Sequence, residues 1–203
     1  MWVSSRGDEF GLLSSLVPDK SRVLDVGHGY GYTALRLRIA GKDVHITGID
    51  IHDQYHYAHR QMNVYDRVVL MDARKMPFRD KSFDVSYAVQ LLEHLELGDG
   101  DVVLGEMERV TRGLVFVSTP DGFHPEDGKM RDGNPASLHR SGYTRSYFAS
   151  RGYETQLVGR AGRLIGLLKR IDLYLKGGYG SPGMIVAWKD MQTQMFKNHE
   201  VKV

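Results

Sequence analysis

Three glycines, Gly27, Gly29 and Gly31, alternate with His28 and Tyr30 directly after the β-branched run Arg22–Val26 and directly before a helical pattern. Glycines at that spacing let the backbone turn sharply and approach a ligand without Cβ interference, and the helix start that follows favours a nucleotide-like group. Asp25 stands two residues before the first glycine. Asp50, followed by Ile51, closes the next apolar run, and Asp72, followed by Ala73, closes the third. A carboxylate at Asp50 can accept both hydroxyls of a ribose. One at Asp72 can accept from an adenine amino group while the Ala73 N–H meets a ring nitrogen. Each acid alone is an ordinary turn residue; their common position at strand ends, the edge where open parallel sheets bind ligands, is what carries the reading.

The dinucleotide fingerprint G-x-G-x-x-G asks for glycine at position 32, where Tyr32 stands. A nicotinamide-dependent oxidoreductase is therefore the first rival reading and not the favoured one. A further run ends at Ala88-Val89-Gln90, and the backbone carbonyls of Val89 and Gln90 are expected near the same ligand.

Imidazole, whose ordinary pKa lies near ~6.5, suits removal of a proton from a hydroxyl. His94, just after the fourth strand, is the first candidate base. His124 and His139 follow in the polar stretch Pro120–Gly142, with Asp127, Arg131 and Arg140; so long a connection inside a compact domain reads as part of a pocket or as a mobile surface loop. His52, His56 and His59 share one helical face, read as a solvated surface.

These residues need a scaffold, and the pattern supplies one. Strands are expected at Arg22–Val26, Val44–Asp50, Arg67–Met71, Phe83–Ala88 and Leu114–Ser118. Helices are expected at Tyr30–Ala40, Asp53–Asn63 and Asp99–Val110. A helix at Thr144–Ser150, a strand at Tyr153–Val158, a basic helix at Arg163–Lys176, a turn at Gly177–Gly183 and a strand at Met184–Lys189 complete an α/β domain over residues 1–190. A polar tail over residues 191–203 follows. The segment Arg163–Lys176 carries an apolar stripe and a basic face, which suits packing on the sheet, or peripheral membrane contact with a lipid-like acceptor.

Composition limits the chemistry further. The 203 residues hold 27 Lys plus Arg against 25 Asp plus Glu, a net charge of +2, so charge alone gives no reason to expect nucleic acid. With no cysteine, disulfides, Cys-ligated zinc, iron–sulfur clusters and thiol nucleophiles are excluded. No run has the length of a membrane span, and the first ten residues lack the apolar core of a signal peptide, so a cytoplasmic protein is expected.

The stretches VLDVGHGYG, ITGID, VVLMDARKMPF, KSFDVSYAVQLLEHL and LVFVSTP, in that order, resemble the class I S-adenosylmethionine-dependent methyltransferases over about residues 20 to 160. The run FDVSYAVQLLEHL is most similar to the small-molecule branch that includes ubiquinone and menaquinone biosynthesis methyltransferases. The resemblance implies a Rossmann-like seven-stranded sheet of order 3-2-1-4-5-7-6 with an antiparallel last strand. It also implies S-adenosyl-L-methionine as cofactor: Gly27 and Gly29 near the methionine part, Asp50 at the ribose, Asp72 and Ala73 at the adenine, Val89 or Gln90 beside the amino group. Relatives in the quinone branch carry E-x-x-E-H after the fourth strand, associated with a divalent metal. Here Gln90 replaces the first carboxylate of Gln90-Leu-Leu-Glu93-His94, so no metal is expected.

The acceptor expected is a small or lipid-like molecule, with oxygen favoured. Cytosine methylation at ring carbon needs a cysteine, and amino methylation of bases resembles a branch with a Pro-Pro-aromatic run that this chain lacks. A non-catalytic module on the same fold is the second rival.

Overall fold

The computed structural model describes residues 9–55, 63–125, 134–158 and 183–192. The expected helix at Asp53–Asn63 is described only at its start, where Asp53 to Tyr55 are helical. His56, His59, Asp127, Arg131, the basic segment Arg163–Lys176, the turn that follows it up to residue 182, and residues 193–203 lie outside the described residues.

Helix α1 (Glu9–Leu16) precedes β1 (Arg22–Val26), α2 (Tyr32–Ile39), β2 (His45–Asp50), β3 (Arg67–Leu70) and β4 (Phe83–Val89). A short 3-10 turn (Leu92–His94) leads into α3 (Leu97–Val110) and β5 (Thr111–Pro120), and a second 3-10 turn (Pro135–Ser137) leads to α4 (Arg145–Ser150), β6 (Glu154–Val158) and β7 (Met184–Asp190). The seven strands form one sheet of order β3-β2-β1-β4-β5-β7-β6. β1 to β5 run parallel, and β7 is antiparallel to both β5 and β6. This is the Rossmann-like order that the resemblance implies.

Both sheet faces are covered, as a parallel sheet requires. On β1, Leu24 and Val26 pack with Val103, Leu104 and Met107 of α3 and with Phe148 of α4. Val23, the residue before Leu24, faces the other way, onto Leu13 of α1 and Ala34 and Leu37 of α2. β5 is longer than expected and begins at Thr111: the Thr111 hydroxyl donates to Ser86 Oγ at 2.7 Å, tying the strand's polar start to β4. Gly113 passes so close to the Asp84 carbonyl that a Cβ would stand 2.5 Å from it. α4 starts where expected, with Thr144 as cap accepting from the Tyr147 N–H. Among the described residues, no helix is long and apolar enough to cross a membrane.

Candidate functional site

The sheet order reverses between β1 and β4, and a crevice opens beyond the carboxyl ends of those strands. The turn after β1 is built for close approach. The N–H groups of Gly27 and His28 donate to the Ile49 carbonyl at 2.8 and 3.2 Å, pinning the turn to β2. Gly27, Gly29 and Gly31 all have left-handed φ, at 71°, 49° and 75°. At Gly27, the Cβ direction is filled by the Leu91 side chain; at Gly29, nothing lies within 4 Å. The Gly29 backbone thus borders open space.

Asp50 ends β2 with its carboxylate already oriented, accepting from the Gly29 N–H and the His52 N–H, each at 2.9 Å. Asp50, Asp72, Ala73 and Gly27 line a cavity of about 390 Å³ together with Leu91 and His94. Ile51 lines it too, and is 58% exposed, an apolar side chain left for a ligand to cover. Asp72 stands two residues beyond β3. Arg74 donates to both its oxygens, through Nε at 3.0 and 3.1 Å and Nη2 at 2.8 Å, and reaches Asp99 through Nη1 at 2.8 Å. The guanidinium holds the Asp72 carboxyl below its ordinary value, so it is an ionised acceptor.

Asp25, Val89, Gln90 and His124, expected near the ligand or the acceptor, are not among the residues that line the cavity. Asp25 does not line the cavity: it is buried below the glycine turn, where Tyr65 and Tyr87 donate to its Oδ2 at 2.6 and 2.7 Å. Burial pushes its carboxyl up to about 7 against the opposing effect of the two tyrosines. Its place is to join β1 to β4 and to the approach to β3. Neither Val89 nor Gln90 lines the main cavity. Strand alternation sends Val89 to the α1 and α2 face, where it borders a separate small pocket with Phe10 and Thr33. Gln90, at φ 57°, directs its amide to the Met184 sulfur at 3.7 Å. His124 turns its Nε2 back to the Asp121 carbonyl at 2.9 Å; its own carbonyl accepts from His139 Nδ1 at 2.6 Å, so it orients His139 rather than facing the cavity.

His94 and His139 come together, with ring centroids 4.9 Å apart. The loop between β5 and α4 also brings Pro135, Ala136 and Arg140 to the cavity, and α3 brings Asp99. Asn134 fixes that part of the loop by accepting from the Ala136 N–H at 2.9 Å and donating to Tyr55 Oη at 3.3 Å. Only loop length signalled these residues; no motif marks Pro135 or Ala136.

A family model described as a methyltransferase domain matches residues 24–116, the stretch holding the glycine turn, Asp50, Asp72 and His94. Over that stretch, just under half of the chain, the sequence is similar to a methyltransferase domain, and the sheet has the Rossmann-like order. The resemblance implies S-adenosylmethionine as cofactor, and the cavity fits its parts: a Cβ-free turn facing open space, an oriented carboxylate and an ionised acid with a following N–H. The chain is 32% identical over 136 residues to the 27-O-demethylrifamycin SV methyltransferase of Amycolatopsis mediterranei, covering 59% of this chain and 49% of that protein. It is 36% identical over 97 residues to the O-methyltransferase rstn1 of Aspergillus nomiae, covering 45% and 42%. The match thus spans less than half the length of either relative. Among solved structures, the [4+2]-cyclase SpnF superposes with a TM-score of 0.62 at 21% identity, covering 88% of this chain and 79% of that one, a likeness of fold.

Proposed function

We propose that this chain transfers the methyl group of S-adenosylmethionine to an oxygen of a small or lipid-like molecule. One observation carries the reading: a single cavity at the carboxyl edge of the sheet is lined by Gly27, Asp50, Asp72 and Ala73 together with His94. In this reading the methionine part lies along Gly27 and Gly29, the ribose hydroxyls donate to Asp50, and the adenine amino group donates to Asp72. The acceptor enters from the side of His94 and the β5–α4 loop.

Transfer from a sulfonium is an in-line displacement. The S–CH₃ bond breaks as the O–CH₃ bond forms, S-adenosylhomocysteine leaves, and the acceptor's proton must be removed. The donor is already activated, so alignment and exclusion of water supply much of the acceleration. The His94–His139 pair is the group we assign to preparing the acceptor oxygen. Oxygen is favoured because both relatives named above methylate at oxygen by their names.

The test is turnover. The protein is incubated with methyl-labelled S-adenosylmethionine and fractionated cell extract, and labelled products are sought by mass spectrometry. The reading expects label on oxygen of a small molecule, and expects His94→Ala to lose turnover while retaining S-adenosylhomocysteine affinity. Label on carbon or nitrogen removes the oxygen assignment. Cofactor binding with no labelled product supports a binding module instead.

A further inference from the structure

Two arginines line the cavity, Arg74 and Arg140. Arg74 is fully engaged: Nε and Nη2 donate to Asp72 and Nη1 donates to Asp99. Arg140 is not. Its Nη1 stands 3.6 Å from Glu96 Oε1, too far for a hydrogen bond, and among the described residues its guanidinium donates to no acceptor. The Glu96 side chain is 68% exposed, so water screens the pair and the guanidinium is held only loosely.

The backbone that carries this side chain is, by contrast, fixed. The N–H groups of Arg140 and Ser141 donate to the Glu93 carbonyl at 2.7 and 3.2 Å, and the Ser141 hydroxyl donates to the Leu92 carbonyl at 3.2 Å. These bonds tie the β5–α4 loop to the 3-10 turn after β4, so Arg140 is one hydrogen bond from the residue that precedes His94. The other charges along the cavity are committed. Asp72 and Asp99 share Arg74, and Asp50 accepts from the N–H groups of Gly29 and His52. What remains is a planar fork of N–H donors with no acceptor, on a rigid stretch of chain, at a cavity that also holds His94. Such a fork selects an anion with two or more oxygens, a carboxylate or a phosphate, and displacing the long, exposed contact to Glu96 costs little.

We propose that Arg140 binds a carboxylate or phosphate group of the methyl acceptor. The inference rests on the methyl-transfer reading and narrows it: the small or lipid-like acceptor carries an acid as well as the hydroxyl that receives the methyl group. In that reading the methionine part of the cofactor lies along Gly27 and Gly29, which leaves Arg140 to the acceptor. Its part is positioning. An anion held by the fork fixes one end of the acceptor, and the hydroxyl is then presented to the sulfonium from the side of His94, the alignment on which an in-line displacement depends.

Two measurements on the whole chain test this. In the first, the methyl-labelled product from cell extract is passed over an anion-exchange resin at neutral pH, and KM for its acceptor is compared in the wild type, Arg140→Gln and Arg140→Lys. The product is expected to be retained. Arg140→Gln should raise KM about tenfold or more with kcat and S-adenosylhomocysteine affinity little changed, and Arg140→Lys should recover part of the loss. Phosphatase treatment separates the two sources, because a phosphate ester loses its phosphate and a carboxylate is untouched. A product that passes through the resin, an unchanged KM, or S-adenosylhomocysteine affinity that falls in Arg140→Gln overturns the inference; the last would mean that the guanidinium holds the methionine carboxylate. In the second, the Arg140 Nε–H resonance, assigned by its loss in Arg140→Gln, is followed while sodium benzoate and sodium phosphate are titrated separately. A saturable shift is expected with at least one of them, and none with either overturns the site even where no labelled product is found. A saturable shift in a protein that neither binds S-adenosylhomocysteine nor turns over keeps the anion site and sinks the methyl-transfer reading.

Discussion

Asp25→Asn isolates the buried acid beneath the glycine turn. Asparagine keeps the volume and an acceptor oxygen for the Tyr65 and Tyr87 hydroxyls, and removes only the ionisation. Burial raises the Asp25 carboxyl from 3.8 to about 7 in the folded chain. Between those values the folded state holds a proton that the unfolded state has released, so stability declines as pH rises. The contribution is fully present below 3.8 and gone above about 7. Integrated from about pH 5 to about pH 8, this single group removes about 2–3 kcal/mol. Equilibrium urea unfolding of both proteins at steps across that range reads the effect as a difference, in which the other titrating groups cancel. The wild type should lose about 2–3 kcal/mol relative to Asp25→Asn on going from the acidic to the alkaline end. Parallel stability curves would refute the reasoning, because they would mean that Asp25 ionises alike in folded and unfolded chains.

Other substitutions probe the site and its supports. Gly100→Ala lies inside α3, where the change ordinarily stabilises by about 1 kcal/mol, yet its Cβ would stand 2.0 Å from Tyr143 Oη. A net loss of roughly 1–2 kcal/mol is expected in thermal unfolding, rescued by adding Tyr143→Phe; a stabilised single variant contradicts the packing. Arg74→Ala releases both oxygens of Asp72. Because that ion pair is partly exposed, S-adenosylhomocysteine should bind at most about fivefold more tightly, and weaker binding would mean that the guanidinium itself touches the ligand. Gly29→Ala has room for its methyl group but a φ of 49°, so a stability loss of about 1–2 kcal/mol is expected together with loss of cofactor binding. Unimpaired binding would remove Gly29 from the cradle.

The sheet was legible because strand signals in this chain are local: β-branched runs such as Val23–Val26 and Ile46–Asp50 alternate with helical periods, and their order follows from the resemblance. The glycine turn, Asp50 and Asp72 were legible for the same reason, each fixed by its place at the end of a strand. The direction of the Asp25 side chain follows from strand alternation, which its place two residues before Gly27 does not reveal. The register partners Asp25 with Tyr87, and both face the side covered by α1 and α2. The acceptor side was less legible still. His94 and His139 meet through two N–H groups and one carbonyl between distant segments, a contact that no sequence period encodes.

The central claim is that the cavity between the glycine turn, Asp50 and Asp72 receives an adenosyl group joined to a methionine. Calorimetric titration of the wild type and of Asp50→Ala with S-adenosylhomocysteine, alongside NAD(H), tests it most directly. The account expects S-adenosylhomocysteine to bind the wild type, the nicotinamide cofactor to give no comparable heat, and the substitution to cost about 1–3 kcal/mol of affinity. Tight NAD(H) binding without a response to S-adenosylhomocysteine, or equal affinity in the two proteins, would contradict it.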